Sequence, residues 1–291
     1  MDDPTLRDAL RHRPLIWGLA YRMTGTVQDA DDVAQETFVR LWERPPRVDD
    51  RPLRPWLAAV ALNLARDRLR ARKLRSYIGP WLPAPVPDAR LADDTLADRQ
   101  TATWAFLRAA EALTPTQRAV FLAREVLELS SAETAAVLGS TPASVDVLLS
   151  RARAALGDLP AQPTTLDDAV VVAFLGFLRL GLPSAAAQLL RPDAVTLNDG
   201  GGQVNAARRP VEGPAKIVLF LRRLRRLYPQ DPSFTPLRCN GLLTFFGELP
   251  PRPGRLPSRF TLSAEVRGGR IATVYSVLHP EKLTALPGGR A

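Results

Sequence analysis

The residues with the clearest chemical purpose are basic ones around position 70. The segment from Arg66 to Arg75 contains six arginine or lysine side chains and one acidic side chain, Asp67. Cations at this density repel one another unless an anion lies nearby, and DNA phosphates relieve that repulsion while counterions are released. The segment therefore indicates a phosphate-binding surface. A charged helix end that is simply solvated is the alternative interpretation.

A second candidate for DNA contact is a pair of short helices in the middle of the chain. Ser130 and Glu133 have the spacing of a capping box, which opens a helix, and Gly139 is a typical residue to end it. Thr141 can cap a second helix that has Pro142 at its first position. Two helices joined by a glycine-containing turn form a helix-turn-helix, whose second helix can enter the major groove. An ordinary helical hairpin in a bundle is the alternative.

The second of these helices is predicted to be amphipathic. Its inward stripe is Val145, Leu148, Leu149, Ala152 and Leu156. Its outward positions are Asp146, Val147, Ser150 and Arg153, with Arg151 at the flank. In a helix-turn-helix the outward set would face DNA.

An acidic segment, Asp29 to Phe38, precedes the basic one. Acidic side chains in the first turn of a helix are stabilised by the helix dipole, which is the purely structural interpretation. The functional interpretation is a patch for a basic surface on a partner protein. The pattern alone leaves both interpretations open.

Few residues could support catalysis or metal binding. The chain has two histidines, His12 and His279, and one cysteine, Cys239, which argues against a structural zinc site. Asp199 is the nearest candidate for an acid–base residue, but it precedes three glycines, where aspartate is ordinary turn chemistry. We predict no catalytic residue, no metal and no cofactor.

Composition favours a polyanionic partner and a reducing compartment. The 291 residues carry a formal charge of +9 and are 46% apolar, so packed cores and anion binding are both expected. A single cysteine excludes an internal disulfide framework. The N-terminus has no apolar signal core, and the apolar runs are too short to span a bilayer. A cytoplasmic protein with no membrane partner is predicted.

The predicted elements change in character at Pro160. Before it, apolar residues recur at three- and four-residue spacing, which indicates helices. In the helix that leads into the basic segment, they are Leu57, Val60, Ala61 and Leu64. After Pro160, helices are predicted near Leu166 to Leu180 and Pro214 to Tyr228. The strand-like runs are Ala194 to Leu197, Leu242 to Phe246, Phe260 to Val266 and Ile271 to Leu278, with Gly268-Gly269 as a hairpin turn between the last two.

Taken together, the helical segments resemble an extracytoplasmic-function RNA polymerase sigma factor. Asp29 to Phe38 resembles region 2.2, Trp56 to Arg70 resembles regions 2.3 and 2.4, and Leu113 to Leu156 resembles region 4. The order, spacing and number of these matches make the resemblance specific. It implies binding to the β′ clamp helices and the β flap of core RNA polymerase. It also implies melting and reading of the promoter −10 element by regions 2.3 and 2.4, and reading of the −35 element by region 4.

Three sets of site residues follow from this resemblance. The polymerase-binding set is Asp29, Asp31, Asp32, Gln35 and Glu36. The −10 set is Asn63, Arg66, Arg68, Arg70, Arg72 and Lys73. The −35 set is Thr141, Ser144, Asp146, Val147, Ser150, Arg151 and Arg153. In the −10 set the basic residues attract the backbone and Asn63 can bond a base edge, while the loop from Glu43 to Arg54 is predicted to hold a flipped base.

The C-terminal part resembles the SnoaL-like extension that some of these sigma factors carry. The matching motifs, whose usual forms are DGGGK, NPDKL and WLPEP, are Asp199-Gly200-Gly201-Gly202-Gln203, His279-Pro280-Glu281-Lys282-Leu283 and Trp81-Leu82-Pro83-Ala84-Pro85. Their predicted role is regulatory, with Trp81, Leu82 and Pro83 in the linker and the other motif residues in the extension. The resemblance implies a cone of the nuclear transport factor 2 type that controls the sigma factor in cis and can hold a small ligand.

Several residues depart from the family pattern, among them Val147, Leu148 and Ser150, which replace commoner polar, basic or aromatic residues. Asp146 stands where Arg or Lys is usual, which predicts weak or unusual −35 recognition, although aspartate can accept a hydrogen bond from cytosine N4. Ala84 replaces a glutamate and Gln203 replaces a lysine. Both replacements remove a charge that could join the linker to the C-terminal domain.

The predicted architecture is two all-α sigma domains, the second a helix-turn-helix, followed by an α+β cone of the SnoaL-like type. The predicted boundaries are 1–76 for region 2, 77–98 for the linker, 99–159 for region 4 and 160–291 for the cone. A helix-turn-helix transcription regulator with a ligand-binding or polyketide-cyclase-like C-terminal domain is the alternative. Promoter melting with core polymerase distinguishes the two.

Overall fold

The computed structural model describes residues 9–43, 53–91, 102–157, 165–227 and 231–288. The chain divides into two units, of which unit 1 comprises Met1–Ser76 and Ala89–Pro160. Unit 2 comprises Tyr77–Asp88 and Ala161–Ala291. The chain therefore leaves unit 1 after Ser76, contributes a short segment to unit 2, and returns to unit 1.

The first part of unit 1 consists of three helices that pack against one another: α1 (Arg13–Thr24), α2 (Val27–Glu43) and α3 (Leu53–Lys73). The buried residues of α3 are Leu57, Ala58, Ala61, Leu62, Ala65 and Leu69. Val60 and Leu64, predicted to face inward, are only half-buried. Alanines and Leu62 are buried in their place, so the buried stripe of α3 is rotated about the helix axis relative to the predicted one.

The second part of unit 1 contains α4 (Trp104–Ala109), a 3₁₀ turn (Ala110–Ala112), α5 (Pro115–Glu125), α6 (Ser131–Leu138) and α7 (Pro142–Leu156). The predicted caps are confirmed. The Ser130 hydroxyl and the Glu133 carboxylate form a reciprocal capping box, and Gly139 ends α6 in the left-handed conformation. The Thr141 hydroxyl accepts from the Ser144 N–H, with Pro142 in the first turn of α7. Val145, Leu149, Ala152 and Leu156 are buried as predicted, whereas Leu148 is half-buried.

Helix α5 lies at the centre of unit 1, because it packs against α7 on one side and against α1 and α3 on the other. Its Arg118 is fully buried, and the guanidinium Nε donates to the carbonyl of Arg22 at the end of α1, 2.7 Å away. Helix α6 also contacts α3. The two helical parts of unit 1 therefore share one core.

Unit 2 is built on a six-stranded sheet with the order β2-β1-β6-β5-β4-β3. The strands are β1 (Leu190–Asp199), β2 (Val211–Glu212), β3 (Ser233–Cys239), β4 (Leu242–Glu248), β5 (Arg259–Arg267) and β6 (Arg270–Val277). Strands β1 and β6 pair in parallel and the other neighbours are antiparallel. The predicted hairpin of β5 and β6 is confirmed.

Three helices accompany the sheet: α8 (Thr165–Arg179), α9 (Pro183–Gln188) and α10 (Pro214–Leu227). Val171 and Phe174 of α8 and Ile217 of α10 share a buried cluster with Ala264 and Val274 of the sheet. Helices α8 and α10 agree with their predicted bounds to within a residue. No helix in the described ranges is both long and apolar enough to cross a membrane.

Strands β2 and β3 were not predicted. Strand β3 contains Pro236, which normally argues against a strand because proline has no N–H to donate. It is tolerated here because β3 is the edge strand of the sheet, paired with β4 on one side and through a single bridge from Cys239 to Pro87 on the other. Strand β2 has two residues, too few to show an alternating pattern.

Candidate nucleic-acid interface and linker-binding site

The C-terminal half of α3, Asn63 to Lys73, carries the predicted −10 residues and contacts the helix-turn-helix. The Asn63 side-chain amide donates to the carbonyls of Ala59 (3.0 Å) and Val137 (2.8 Å), and Arg66 Nη1 donates to the carbonyl of Leu138 (3.3 Å). The last carbonyls of a helix have no partner within it and carry the negative end of its dipole. Asn63 and Arg66 therefore cap the C-terminus of α6.

The end of α3 binds a carboxylate. Arg72 Nη2 lies 2.8 Å from both carboxylate oxygens of Glu111, and Lys73 Nζ donates to the carbonyls of Glu111 (2.8 Å) and Leu113 (2.7 Å). Arg118 Nη1 donates to the same carboxylate at 2.8 Å. Glu111 thus joins a cation on the surface of α3 to one that is fully buried in α5.

Electrostatics within this cluster shift three pKa values. Burial lowers the pKa of Arg118 to about 10, with Glu111 opposing the shift. Burial also lowers the pKa of Lys73. For Glu111, burial alone would raise the pKa, but Arg118 and Arg72 outweigh it and the net pKa is lowered. Glu111 is therefore held as a carboxylate between cations.

The remaining cations of the −10 set also have partners. Arg68 Nη1 lies 3.0 Å from Asp32 and 3.9 Å from Asp29, and Arg70 lies 3.5 Å from Asp67. All six predicted −10 residues are therefore engaged within unit 1. Most of the loop predicted to hold a flipped base, residues 44–52, lies outside the described residues.

Sequence reasoning missed Glu111. It stands alone in an alanine-rich stretch just before Leu113-Thr114-Pro115, with no charge pattern around it. Its importance comes from partners 39 and 7 residues away in sequence. The only available signal was that an unpaired carboxylate could compensate the crowded cations of α3.

The acidic segment of α2 is divided between internal contacts and an open groove. Asp31 accepts from the Trp17 indole at 2.7 Å and from Arg90 at 3.3 Å, and Asp29 accepts from the Thr26 hydroxyl at 2.7 Å. A groove of about 550 Å³ lies along α2. Its lining is Leu10, Arg13, Asp31, Gln35, Phe38, Val39, Trp42 and Glu43. Trp42, 66% exposed, makes this an apolar surface edged by acids.

Helix α7 presents the predicted −35 residues on its surface. The Ser131 hydroxyl donates to Asp146 Oδ1 at 2.5 Å, and Arg153 Nη2 donates to Glu125 at 2.5 Å. These two polar side chains are thus drawn toward α6 and α5. Val147, Ser150 and Arg151 are exposed. In contrast to α3, the outward face of α7 is open.

In unit 2, the motif residue Asp199 lies at the end of β1 and is fully buried. One carboxylate oxygen accepts from the Tyr77 hydroxyl (2.5 Å) and the Gly201 N–H (3.0 Å). The other accepts from the Leu82 N–H (2.8 Å) and Lys282 Nζ (2.7 Å). With four donors on its two oxygens, Asp199 is committed to binding the 77–88 segment, which leaves no role for it as a general base.

Lys282 completes the grip on this segment. Its ammonium donates to the carbonyl of Leu82 at 2.6 Å and lies over the rings of Trp81 (4.3 Å) and Tyr77 (4.9 Å). Both backbone polar groups of Leu82 are therefore bound by one buried ion pair, Asp199–Lys282. Cation–π contacts add attraction where water is excluded. The three predicted regulatory motifs meet here, because Lys282 of one motif contacts Asp199 of the second and Leu82 of the third.

All three motif glycines make room for neighbours, and a Cβ on Gly200 would lie 2.6 Å from the carbonyl oxygen of Val204. A Cβ on Gly201 would lie 1.7 Å from Cδ2 of His279, and a Cβ on Gly202 would lie 2.9 Å from Cδ1 of Ile78. Both have a positive φ, +55° and +72°, which side-chain-bearing residues rarely adopt. Gly200 accepts the turn hydrogen bond from the N–H of Gln203. The run of glycines thus lets His279 and the segment approach the β1 turn.

The second motif is anchored to the same turn. The N–H groups of Leu278 and His279 donate to the Asp199 carbonyl at 2.8 and 3.0 Å. Pro280 to Leu283 form a 3₁₀ turn, in which Leu283 is buried and Lys282 is aimed at the carboxylate. Gln203 donates to Glu281 at 2.8 Å, so it links the two motifs of the extension to each other.

The rest of the segment lies along the β3–β4 turn. Val86 exchanges hydrogen bonds with Asn240, its N–H donating to the side-chain oxygen (2.9 Å) and its carbonyl accepting from the Asn240 N–H (3.1 Å). Asp88 accepts from the Gly241 N–H at 3.0 Å. Leu82, Ala84 and Val86 are fully buried. The segment, predicted as part of a linker, is a packed part of unit 2.

Comparison with known proteins decides the family. The Sigma-70 region 2 family matches residues 9–75 and the Sigma-70 region 4 family matches residues 103–156. The chain is 33% identical to the ECF RNA polymerase sigma factor SigJ of Mycobacterium tuberculosis over 298 residues, which covers 96% of this chain and 93% of that protein. It belongs to the extracytoplasmic-function RNA polymerase sigma factors.

Further relatives of this sigma factor agree. The crystal structure of M. tuberculosis SigJ superimposes with a TM-score of 0.76 at 30% identity, covering 98% of this chain and 99% of that one. SigG of the same species is 33% identical over 180 residues, which is 53% of this chain and 46% of SigG. Unit 2 has the α+β class predicted for the extension, and the SigJ structure covers it as well. The protein is thus a transcription initiation factor that binds core RNA polymerase and recognises promoter DNA, and it is not an enzyme.

Proposed function

We propose that this sigma factor is regulated in cis through residues 77–88, which its own SnoaL-like unit holds. The observation that carries the proposal is the binding of both backbone groups of Leu82 by the buried pair Asp199–Lys282. In sequence, this segment joins the region that matches Sigma-70 region 2 to the region that matches region 4. A domain that grips the connection limits how the two promoter-binding regions separate on polymerase.

Assignment of the DNA-binding residues is part of the proposal. The −10 set on α3 supplies five cations and the side-chain amide of Asn63, which suits contact with phosphates and with an unpaired base. The −35 set on α7 occupies the outward face of the second helix of a helix-turn-helix. The two sets are separate surfaces of unit 1.

The polymerase-binding surface in this proposal is the groove along α2. Its acids, Asp31 and Glu43, stand beside the exposed apolar side chains of Val39 and Trp42. Interfaces of this type combine a buried aromatic anchor with a charged rim. The β′ clamp helices are the proposed partner, and the β flap is the partner proposed for region 4. We place this activity in the cytoplasm, where core polymerase acts.

Promoter binding then requires rearrangement within unit 1. Arg66, Arg72 and Lys73 use their donors on carbonyls and on Glu111, and those donors are the ones that DNA phosphates would take. A phosphate backbone offers many anionic oxygens in exchange for one carboxylate and a few carbonyls. The arrangement described is a closed one, and DNA competes with it.

Unit 2 can shift this equilibrium only if it holds the 77–88 segment more tightly in one arrangement than in the other. A small ligand in the cone would act by the same rule, through its different affinity for the two arrangements. The contacts with Leu82 would couple such a difference in binding free energy to the placement of the two sigma regions.

Run-off transcription with core polymerase and the full chain tests the proposal. Trp81→Ala removes the ring that lies under Lys282 and should change the transcript yield several-fold at equal protein concentration. Leu180→Ala, an exposed apolar residue of α8–α9, is the matched control and should leave the yield unchanged. Equal yields from wild type and Trp81→Ala would refute regulation through the segment. Absence of any transcript with wild type would refute initiation itself.

A further inference from the structure

The face of α7 that points away from unit 1 is small and apolar at its centre. The buried stripe consists of Val145, Leu149, Ala152 and Leu156. At about 100° per residue, Val147 projects roughly opposite to that stripe. It is 50% exposed. Val147 is therefore the most prominent apolar side chain on the helix that a helix-turn-helix inserts into the major groove.

Three polar side chains of the −35 set are held by contacts within unit 1. Asp146 accepts from the Ser131 hydroxyl, Arg153 donates to Glu125, and the Thr141 hydroxyl accepts from the backbone of Ser144. These contacts use an oxygen or a donor that would otherwise be available to DNA. Ser150 and Arg151 are the polar residues that remain beside Val147 on the outward face.

Base pairs differ in what they offer such a face. In the major groove, guanine, cytosine and adenine present hydrogen-bonding groups, whereas thymine also presents a C5 methyl group. A valine at the centre of the face can gain free energy only from apolar contact, and the thymine methyl is the apolar group in the groove. We infer that Val147 determines −35 specificity by packing against a thymine methyl group.

This inference rests on the proposed assignment of α7 to the −35 element, and it adds the chemical group that is read. An isolated exposed valine is ordinary on a protein surface. What sets Val147 apart is its position, opposite the core stripe in the first half of the second helix, where side chains of a helix-turn-helix reach base edges. The neighbouring acid, Asp146, is held by the Ser131 hydroxyl of α6.

The experiment begins with holoenzyme assembled from core polymerase and the full chain, and a promoter library randomised at the −35 element. Sequences bound at moderate salt should be enriched for thymine at one or more positions. Each such thymine is then replaced by deoxyuridine, which removes the methyl and keeps every hydrogen-bonding group. At one position, this replacement should weaken DNA binding about fourfold, which is the effect of removing one buried methyl group.

Combining the deoxyuridine substitution with a protein variant shows whether Val147 is the side chain that contacts the methyl group. With Val147→Ala, wild-type DNA should bind more weakly, and deoxyuridine at the sensitive position should cause no further loss. The matched control is Val172→Ala on α8, a valine of similar exposure (52%) outside the helix-turn-helix, for which the deoxyuridine effect should remain fourfold. Circular dichroism of both variants should match wild type, since neither side chain is buried.

Three results would overturn the inference while leaving sigma activity intact: no thymine enrichment, no deoxyuridine effect at any position, or an effect that persists in Val147→Ala. All three are read from a holoenzyme that still initiates transcription. A holoenzyme that opens no promoter would instead overturn the proposed function, so the two failures are distinguishable.

Discussion

Two sites in this molecule hold cations, and they hold them differently. In unit 2, the Lys282–Asp199 pair is almost fully buried, with side chains 6% and 0% exposed, and the other partners of Lys282 are a backbone carbonyl and two aromatic rings. In unit 1, the Arg72–Glu111 pair is 19% and 26% exposed, and Arg70 and Arg68 are still more open. The first site is enclosed, and the second lies at a surface.

The difference indicates which contacts can be exchanged. A mobile anion cannot reach Lys282 without breaking the packing of Tyr77 and Trp81. Arg72 and Lys73 lie where a phosphate can approach them from solvent and compete with Glu111. We therefore interpret the unit 2 site as a lasting grip on the 77–88 segment and the end of α3 as a contact that DNA replaces. Four predictions test this distinction between an enclosed and an exchangeable site.

The largest effect is expected from Lys282→Met. Loss of one partner of a buried ion pair typically costs about 3–5 kcal/mol, because the other charge is left without compensation. Unit 2 should lose that much unfolding free energy, and the Leu82 amide, which donates to Asp199, should lose protection from hydrogen exchange. Trp81 is the only tryptophan of unit 2 in the sequence, so its fluorescence also reports the loss.

Glu281→Gln provides the control for this prediction. Glu281 neighbours Lys282 but accepts from Gln203 at an exposed position, where the contact contributes little. The unfolding free energy of the Glu281→Gln protein should stay close to that of wild type. A Lys282→Met protein as stable as Glu281→Gln would mean that the grip on Leu82 does not depend on the ion pair.

These two sites also show what sequence could and could not predict. The caps of α6 and α7 are local, since Ser130, Glu133 and Thr141 act within four residues of themselves, and they were predicted correctly. The motifs around Asp199 and Lys282 were predicted from family resemblance. The pairing of Glu111 with Arg72 and Arg118, and the docking of Val86 on Asn240, were not predicted. Those contacts depend on chain packing over long separations, and no local pattern encodes them.

The second prediction concerns Arg72→Gln. A hydrogen bond to a charged group contributes about 1.5–3 kcal/mol, so unit 1 should lose an amount in that range through the contact with Glu111. Because the pair is partly exposed, the loss should shrink when salt is raised from 0.1 M to 1 M, where the screening length falls from about 10 Å to about 3 Å. Denaturant unfolding at both salt concentrations measures the difference.

The same salt series on Lys282→Met is the matched comparison, because a buried pair is screened much less. Its loss should be nearly equal at the two concentrations. If Arg72→Gln were as insensitive to salt as Lys282→Met, the end of α3 would be an enclosed site as well, and the idea that DNA displaces Glu111 would lose its physical basis.

A smaller effect is expected from acid acting on Glu111. Its pKa is lowered in the folded protein by Arg118 and Arg72, against the opposing effect of burial. A carboxyl group with a lowered folded pKa contributes stability above its unfolded pKa, and that contribution disappears as the pH falls through the folded pKa. Unit 1 of wild type should therefore become less stable below about pH 4.5, the ordinary value for glutamate.

Glu111→Gln should flatten this acid dependence. The variant is less stable at neutral pH, because Arg118 is left buried with fewer partners, but it has no carboxyl group to protonate. The stabilities of wild type and variant should converge as the pH falls. Parallel curves down to pH 3 would show that Glu111 is not held ionised by the two arginines.

The smallest effect should come from His279, whose ring lies against Gly201 beside the enclosed site. Burial, reinforced by the nearby Lys282 charge, lowers its pKa below the ordinary value of 6.5. The unfolded chain then takes up a proton more readily than the folded one, so unit 2 loses stability as the pH falls below 6.5 and on through the folded pKa. His279→Asn, which restores the residue usual in the related motif, should remove this loss, and hydrogen exchange at the Leu82 amide between pH 7 and pH 5 measures it. The His279→Asn protein controls for the intrinsic effect of pH on exchange. If acidification slowed exchange in wild type more than in His279→Asn, protonated His279 would have an anionic partner near Asp199. The site would then be less enclosed than we interpret it to be.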